Sequence, residues 1–579
     1  MKQTRLINQV VGGSYEADER IAGCAVSQNL YAESVETGAN GFYFTTSLRS
    51  VPGERVVLEN FVAVDAYKQG CRGMFVASDD TIFAAFGDVI VRISYDSVSR
   101  QFSSETLMSY PYKFTGQIRF CETGGVNSHV CWVDGKYPRV YAYPISDLDR
   151  NPDIEFPLKF TTPLRQYKTA DQIVTNTEQH VIPDQICSIS GSLVINDPES
   201  DTWYYTDPYI LGGTSYTRQI YDLDASGNVQ YKPGSAYEVK TREVSLDDTD
   251  TSSGTSYLWL DRYSKPRFTT AEYSADRIEA MAVCGDYLFV FGTGSLQVYN
   301  QSVSTDAQGF SSMVFSSAGR NIRDLGCSSK RTVVVLNGNV VFLGSSARGE
   351  RSIWYTSGGV PTRISTNAIE RMLENEDLSG AYAVGYVQNG HAFYAITIPS
   401  IDKTFCFDFA TSQWHNRSTY RSDSTKGKWW ASYCVSVKGF VVIGGAGVNK
   451  LVILDKDKYD DWKGDPIIKV RTAPIITSDY SPFVVNDLML LWNNGTTKDV
   501  TNAQGAKNPV VMLEVSRDGG NTFEDEQWAY GGETGQYGYR TIWYGIGLGT
   551  MFVFRFTISD RVNVVITGAK ISHTVLSQF

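Results

Sequence analysis

One phrase limits what this chain can fold into more than any other: Arg277 to Asn300, RIEAMAVCGDYLFVFGTGSLQVYN. An apolar run, Ile278 to Cys284, meets a tight turn at Gly285-Asp286, and a second run, Tyr287 to Phe291, meets another at Gly292 to Gly294. A third, Leu296 to Tyr299, alternates apolar and polar residues. Short apolar runs between Gly/Asp turns are strands, and turns this tight make them antiparallel. The phrase is therefore a small β-meander. Such a unit cannot bury both of its faces alone, so it needs similar neighbours.

The sequence supplies them. Meanders of the same kind begin near Cys71, Ile118, Ile186, Ile278, Val333, Ala383 and Trp430. Apart from one larger gap between the third and fourth units, the spacing of roughly 45 to 60 residues, with three to four short strands per unit, suits the blades of a β-propeller. The blade count is six or seven, and a row of unrelated sandwiches is the alternative. With 51 glycines against 18 prolines and 13% aromatic residues, the composition fits many short turns and rings packed on pleated faces.

Boundaries follow from breaks in this pattern. Residues 1–60 are polar and punctuated by Gly38, Gly41, Pro52 and Gly53, which predicts an extended N-terminal arm that orders on assembly. Residues 61–209 and 273–463 hold the blades. Residues 210–272, rich in Tyr, Ser, Thr and Asp, interrupt them as a protruding insertion. From 464 to 579 the runs lengthen, as in Asp487–Trp492 and Phe552–Phe556, and an appended antiparallel β-sandwich is expected. The fold class is thus all-β. One helix stands out: Asn367 is placed to cap it, Glu370 follows three residues on, and Ile369, Met372 and Leu373 share a face.

Charge and cysteine usage narrow the function. A net charge of -11 does not suit a chain that grips phosphates. Nine cysteines, an odd number without a C-x-x-C pair, read as reduced core residues and give no zinc site. The first residues, MKQTRLINQVVGG, carry no apolar signal core, and no run approaches a membrane span. Synthesis in a reducing cytoplasm is expected, without membrane insertion.

The sharpest local motif is SRDGGNTF, which fits the sialidase Asp box, S-x-D-x-G-x-T-W/F. Its Ser516, Asp518, Gly520, Thr522 and Phe523 describe a structural turn: the carboxylate bonds nearby backbone N–H groups, glycine permits the turn and the ring packs beneath. DLDASGN, Asp222 to Asn228, opens like a calcium loop, but Pro233 stands where the closing Glu belongs, so an ordinary hairpin turn is preferred. His129, His180, His391, His415 and His573 show no metal spacing and read as core or edge residues. Trp429-Trp430 beside Lys426 and Lys428 read as blade packing, with a stacking platform for sugar or nucleic acid as the alternative. The sequence has no Gly-rich phosphate loop, nucleophile elbow or H-E-x-x-H. Catalytic, cofactor and metal residues are all expected to be absent.

In their order these parts resemble the packaged-DNA stabilisation proteins, the tail nozzle or hub subunits, of short-tailed bacteriophages. The resemblance rests on Ile278 to Tyr299 as a central blade and on Pro361 to Leu373, PTRISTNAIERML, as the entry to a helix. It rests also on Phe405 to Trp414, FCFDFATSQW, on Ser516 to Phe523, and on the terminal strands of Arg540 to Ile571. Arg49 to Val57, RSVPGERVV, adds a similar turn, whereas the 210–271 insertion is a departure. The resemblance implies a non-enzymatic virion tail protein made in the host cytoplasm. Its implied partners are five further copies in a homo-hexamer, a head-to-tail adaptor ring, a tail fibre or tailspike, and a tail needle or plug. Packaged DNA would pass through the channel without specific binding. A glycan-binding or glycan-cleaving propeller is the alternative suggested by the Asp box and the Trp pair.

Overall fold

The structure, a computed structural model, describes residues 3–34, 46–62, 70–110, 116–124, 128–145, 158–169, 172–206, 216–221, 230–246 except 231 and 235–239, 267–305 except 272 and 275, 311–421 except 347–348, 425–494 except 480, and 508–576 except 534. They form two compact units, Met1–Val57 with Ile364–Ile443 and Leu451–Phe579, and Leu58–Arg363 with Gly444–Lys450.

The second unit holds five antiparallel meanders in chain order. The first joins Cys71–Val76, Ile82–Phe86, Val89–Asp96 and Gln101–Ser109, each strand paired with the next. The second runs from Arg119–Glu122 to Leu158–Thr161, and the third opens at Ile186–Ile189. The third is completed across the insertion: Thr202–Tyr205 pairs with Phe268–Thr270, so residues 210–267 lie between the third and fourth strands of one blade. Within that span, Tyr216–Tyr221 and Thr241–Leu246 pair as a hairpin. The fourth meander, Ile278–Cys284, Tyr287–Gly292 and Ser295–Thr305, spans the phrase Arg277 to Asn300 and is extended by Ser311–Ser317. The fifth ends at Thr362–Arg363. Apolar faces meet between neighbours. Val133 and Ala142 of the second meander pack with Leu193 and Ile195 of the third, and Phe289 and Phe291 of the fourth pack with Val340 and Phe342 of the fifth.

The first unit holds two more meanders, Tyr382–Gln388 to Gln413–Tyr420 and Tyr433–Val437 to Lys450–Asp455. Among the described residues the two units therefore carry seven blade-like sheets. Tight turns set their register. Asn389-Gly390 and Lys438-Gly439 have positive φ at both central residues, the primed turn that matches strand twist.

The sandwich occupies the rest of this unit. One sheet runs Leu30–Ser34, Thr46–Ser50, Val565–Val575, Phe483–Trp492, Thr541–Gly549, with Gln3–Ile7 also paired to Val565–Val575. The other contains Cys24–Gln28, Lys469–Thr472, Met551–Ile558, Val510–Ser516 and Glu524–Tyr530. The stretch read from composition as an irregular arm is thus strand-rich. Ile7, Val10, Leu30, Ala32 and Leu48 enter the sandwich core, and Gly53–Glu59 supplies the outer strand of the last blade. Composition misses this because each strand is only two to seven residues long, and Gln3–Ile7, Cys24–Gln28 and Thr46–Ser50 also find partners hundreds of residues away.

The helix Asn367–Leu373 forms where expected, with Ala368, Ile369 and Leu373 buried. Its cap is Thr366 rather than Asn367: the Thr366 hydroxyl accepts the Ile369 N–H at 3.3 Å. Glu370 accepts the Ser365 hydroxyl at 2.6 Å.

Candidate functional site

The Ser516–Phe523 motif joins Val510–Ser516 to Glu524–Tyr530. Asp518 lies in solvent, yet its carboxylate is crowded with donors. The Thr522 hydroxyl donates at 2.6 Å, the Ser516 hydroxyl at 2.7 Å, and the N–H groups of Asn521 and Thr522 at 3.0 Å. These bonds, the Thr522 hydroxyl first, hold the Asp518 acid well below the usual carboxylate range. A carboxylate so stabilised is a poor proton acceptor and a good staple for a turn. The Gly520 N–H donates to the Ser516 hydroxyl at 2.8 Å, and Gly519 and Gly520 have φ of +78° and +96°. A Cβ on Gly520 would lie 2.9 Å from that of Cys24, so the turn is shaped to the N-terminal segment. Phe523 carries the Arg555 guanidinium 3.4 Å from its ring centre.

The tryptophan pair points inward. Trp429 is buried, its indole N–H donates to Glu54 at 3.0 Å, and that of Trp430 donates to the other Glu54 oxygen at 2.8 Å. Arg417 stacks 3.8 Å from the Trp429 ring centre and donates to the Tyr386 hydroxyl at 2.8 Å. Burial pushes the Glu54 acid up, against the pull of the two indole donors and Arg417. With both indole N–H groups committed to one buried carboxylate, Arg417 on the Trp429 ring and Trp462 edge-on to Trp430, the pair packs a blade.

His391 and His415 both pack around Tyr31 and Phe393, and the other three histidines lie in other strands. His391 bonds Asp408 through Nδ1 at 2.8 Å, and Asp408 also accepts the Thr411 hydroxyl at 2.7 Å and the Ala410 N–H at 2.9 Å. His415 is buried beside Tyr31 and Phe393, and burial pushes it down to about 3. His180 reaches the Thr162 carbonyl at 2.7 Å, while His129 and His573 are buried in other strands. No three His, Cys, Asp or Glu groups among the described residues could together hold a metal ion. Asp222 to Asn228 lie outside the described residues.

Two features escape the sequence reading. Arg471 is buried and its guanidinium donates to the carbonyls of Val10 at 2.6 Å and Gly13 at 3.1 Å and to the Ser27 hydroxyl at 2.8 Å. It ties the first residues to the sandwich, and nothing local in KVRT announces that. The other is a run of exposed aromatic residues between 528 and 544. Of the six exposed aromatic side chains among the described residues, five are Trp528, Tyr530, Tyr537, Tyr539 and Tyr544, and the sixth is Tyr15. The alternation Glu524, Glu526, Trp528, Tyr530 is the signal that could have found it.

No curated protein matches the chain. Among solved structures, the computationally designed Ika8 protein aligns at 12% identity over 69% of this chain and 100% of its own, with a TM-score of 0.32. Virginiamycin B lyase from Staphylococcus aureus aligns at 8% identity over 69% of this chain and 98% of its own, also at 0.32. An exo-beta-1,3-galactanase from Phanerochaete chrysosporium aligns at 9% identity over 90% of this chain and 100% of its own, at 0.22. Similarity that low carries no argument about this chain. Family models are specific: residues 225–459 match the one described as Bacteriophage P22 Gp10, beta-propeller, and residues 469–574 the one described as Bacteriophage P22 Gp10, beta-sandwich. An all-β chain of meander blades followed by a sandwich, matched in both parts and in that order, belongs to the P22 Gp10 family of DNA-stabilisation and tail nozzle proteins, structural proteins of short-tailed bacteriophages.

Proposed function

We propose that this chain is a non-enzymatic subunit of the tail nozzle that extends and closes the DNA exit channel and retains packaged DNA. The observation that carries the reading is the pair of family matches, propeller then sandwich, along one chain. In this reading six copies form a ring by head-to-tail contacts. The ring sits below a head-to-tail adaptor, carries fibres or tailspikes on its flank and receives a needle or plug at its tip. The net charge of -11 supports a conduit through which DNA slides, since cations that neutralise phosphates are what make duplex stick.

Image reconstruction of the assembled particle tests this directly. The expected result is six copies around the exit channel, and heads made without the protein should fill with DNA and then lose it. A particle lacking the protein, or one of another symmetry, overturns the reading. In solution the isolated chain should show no submicromolar, steeply salt-dependent affinity for duplex DNA. A panel of sialosides and glycosides should give no turnover above background.

A further inference from the structure

We propose that the outer face of the sandwich edge, centred on Trp528 and Tyr530, docks a basic, arginine-bearing segment of a partner protein. Trp528 and Tyr530 are 63% and 59% exposed on Glu524–Tyr530, whose intervening residue Ala529 packs against the core. Trp528 stands opposite Met512, and Met512 opposite Thr557, while Tyr530 stands opposite Val510. Val511 and Leu513 face the core, so Val510, Met512, Trp528 and Tyr530 share the outer face. Exposed aromatics gathered in this way mark an interaction surface.

The occupant follows from charge. Residues 524–544, EDEQWAYGGETGQYGYRTIWY, contain four acids and one base. The carboxylate of Glu526 accepts the Trp528 indole N–H at 2.6 Å, which fixes the ring beside a negative group. The same face shows what such a pair holds. Arg555 lies 3.4 Å from the Phe523 ring centre and 3.5 Å from Glu514, clamped between an aromatic face and a carboxylate. Trp528 with Glu526 offers the same two groups, an aromatic face and a carboxylate, with no arginine of this chain between them among the described residues. A guanidinium fits both halves, by cation–π attraction and by charge-assisted hydrogen bonding. A second copy fits poorly, because its own Glu524 and Glu526 would bring like charge to like charge. Strand addition is disfavoured too. The Gln527 carbonyl already accepts the Trp543 indole N–H at 3.2 Å, and the Tyr530 carbonyl the Thr541 hydroxyl at 3.1 Å, so recognition falls to side chains.

The test uses the full chain and a dye-labelled nine-residue peptide alternating Arg and Thr, read by fluorescence anisotropy. Saturable binding is expected, weakened at least about tenfold by Trp528→Ala. Glu526→Gln should weaken it about threefold and flatten its salt dependence. Trp528→Phe should retain most of the affinity, and thermal melting should be unchanged in all three because the side chains are exposed. Binding of a Glu-Thr peptide equal to that of the Arg-Thr peptide overturns the proposal, as does no binding at millimolar peptide. Trp528-dependent binding of neutral oligosaccharides without peptide binding overturns it in favour of a glycan surface. Self-association abolished by Trp528→Ala overturns it in favour of a second copy.

Discussion

The blades and the sandwich are made of similar strands, but those strands find their partners at very different distances along the chain. In the fourth blade Tyr287–Gly292 pairs with the strands immediately before and after it. In the sandwich, Leu48 near the start of the chain stands opposite Ile566 near its end, and Val26 stands opposite Thr472. Local pairing needs only a turn of the right type. Distant pairing must first overcome loop closure, which slows formation and leaves the core to provide the specificity. That core is large: apolar residues from both ends of the chain meet in one cluster around Trp543, Phe552, Phe554 and Phe556. The lesson is that one chain holds a fold written in adjacent residues and another written in residues that meet only once the chain is complete.

Deleting residues 1–50 breaks the comparison most forcefully. It removes Ile7, Val10, Leu30, Ala32 and Leu48 from the sandwich core. At about 2 to 3 kcal/mol for each large side chain, the loss rivals the whole stability of a typical domain. Limited proteolysis should therefore cut rapidly within 464–579 while fragments of 58–363 persist. Equal resistance of both regions would refute the idea that the sandwich depends on the N-terminal strands. Arg471→Met is the next step down. It strands the Val10 and Gly13 carbonyls and takes a donor from the Ser27 hydroxyl, which still donates to the Gly12 carbonyl at 2.8 Å, at an expected cost of about 2 to 4 kcal/mol. Amide exchange should rise first in residues 3–28.

The same contrast explains what the sequence discloses. The blades are legible because each meander carries its own punctuation, as Asn389-Gly390 does between Tyr382–Gln388 and His391–Ile398. The Asp-box-like turn is legible for the same reason, since Ser516, Asp518 and Thr522 bond one another within seven residues. Its fit to Cys24 is not, and neither is the role of Glu54, whose two indole partners lie 375 and 376 positions away. The Thr366 cap is a smaller case: Ser365, Thr366 and Asn367 are all competent caps, and backbone geometry chose among them. Glu524–Tyr530 went unread as a strand because four of its seven residues are charged or amide side chains.

Acid should act where the N-terminal strand meets a blade. His415 packs beside Tyr31, His391 and Phe393, and burial lowers it from 6.5 to about 3. The folded state therefore stays neutral between those values while the unfolded chain takes up a proton. Stability is full above pH 6.5 and falls as the pH drops toward 3, by at most about 1.4 kcal/mol for each pH unit crossed. Thermal melting of His415→Phe against the parent chain should show a shallower decline over that window. Parallel declines in the two proteins would place the acid sensitivity elsewhere.

The smallest effects give the cleanest comparison, because one substitution can be made in both regions. Gly390 and Gly520 both have positive φ, +82° and +96°. Around Gly390 an added Cβ meets nothing within 4 Å, so Gly390→Ala carries only backbone strain, about 1 kcal/mol. At Gly520 the same Cβ comes within 2.9 Å of Cys24 Cβ and 3.8 Å of Arg20 Cβ, so strain is joined by a collision with the N-terminal segment. Gly520→Ala should cost about 2 to 3 kcal/mol, and Gly520→Val more. Asp518→Ala should cost less than either, because its carboxylate is exposed and its bonds compete with water. Cys24→Ala leaves the Cβ in place, so it should not rescue Gly520→Ala, whereas Cys24→Gly, which removes that Cβ, should recover part of the loss. Chemical denaturation of these variants yields the coupling between positions 24 and 520. A coupling near zero would mean that the turn is as self-contained as Asn389-Gly390, and that the sandwich is more local than its strand order implies.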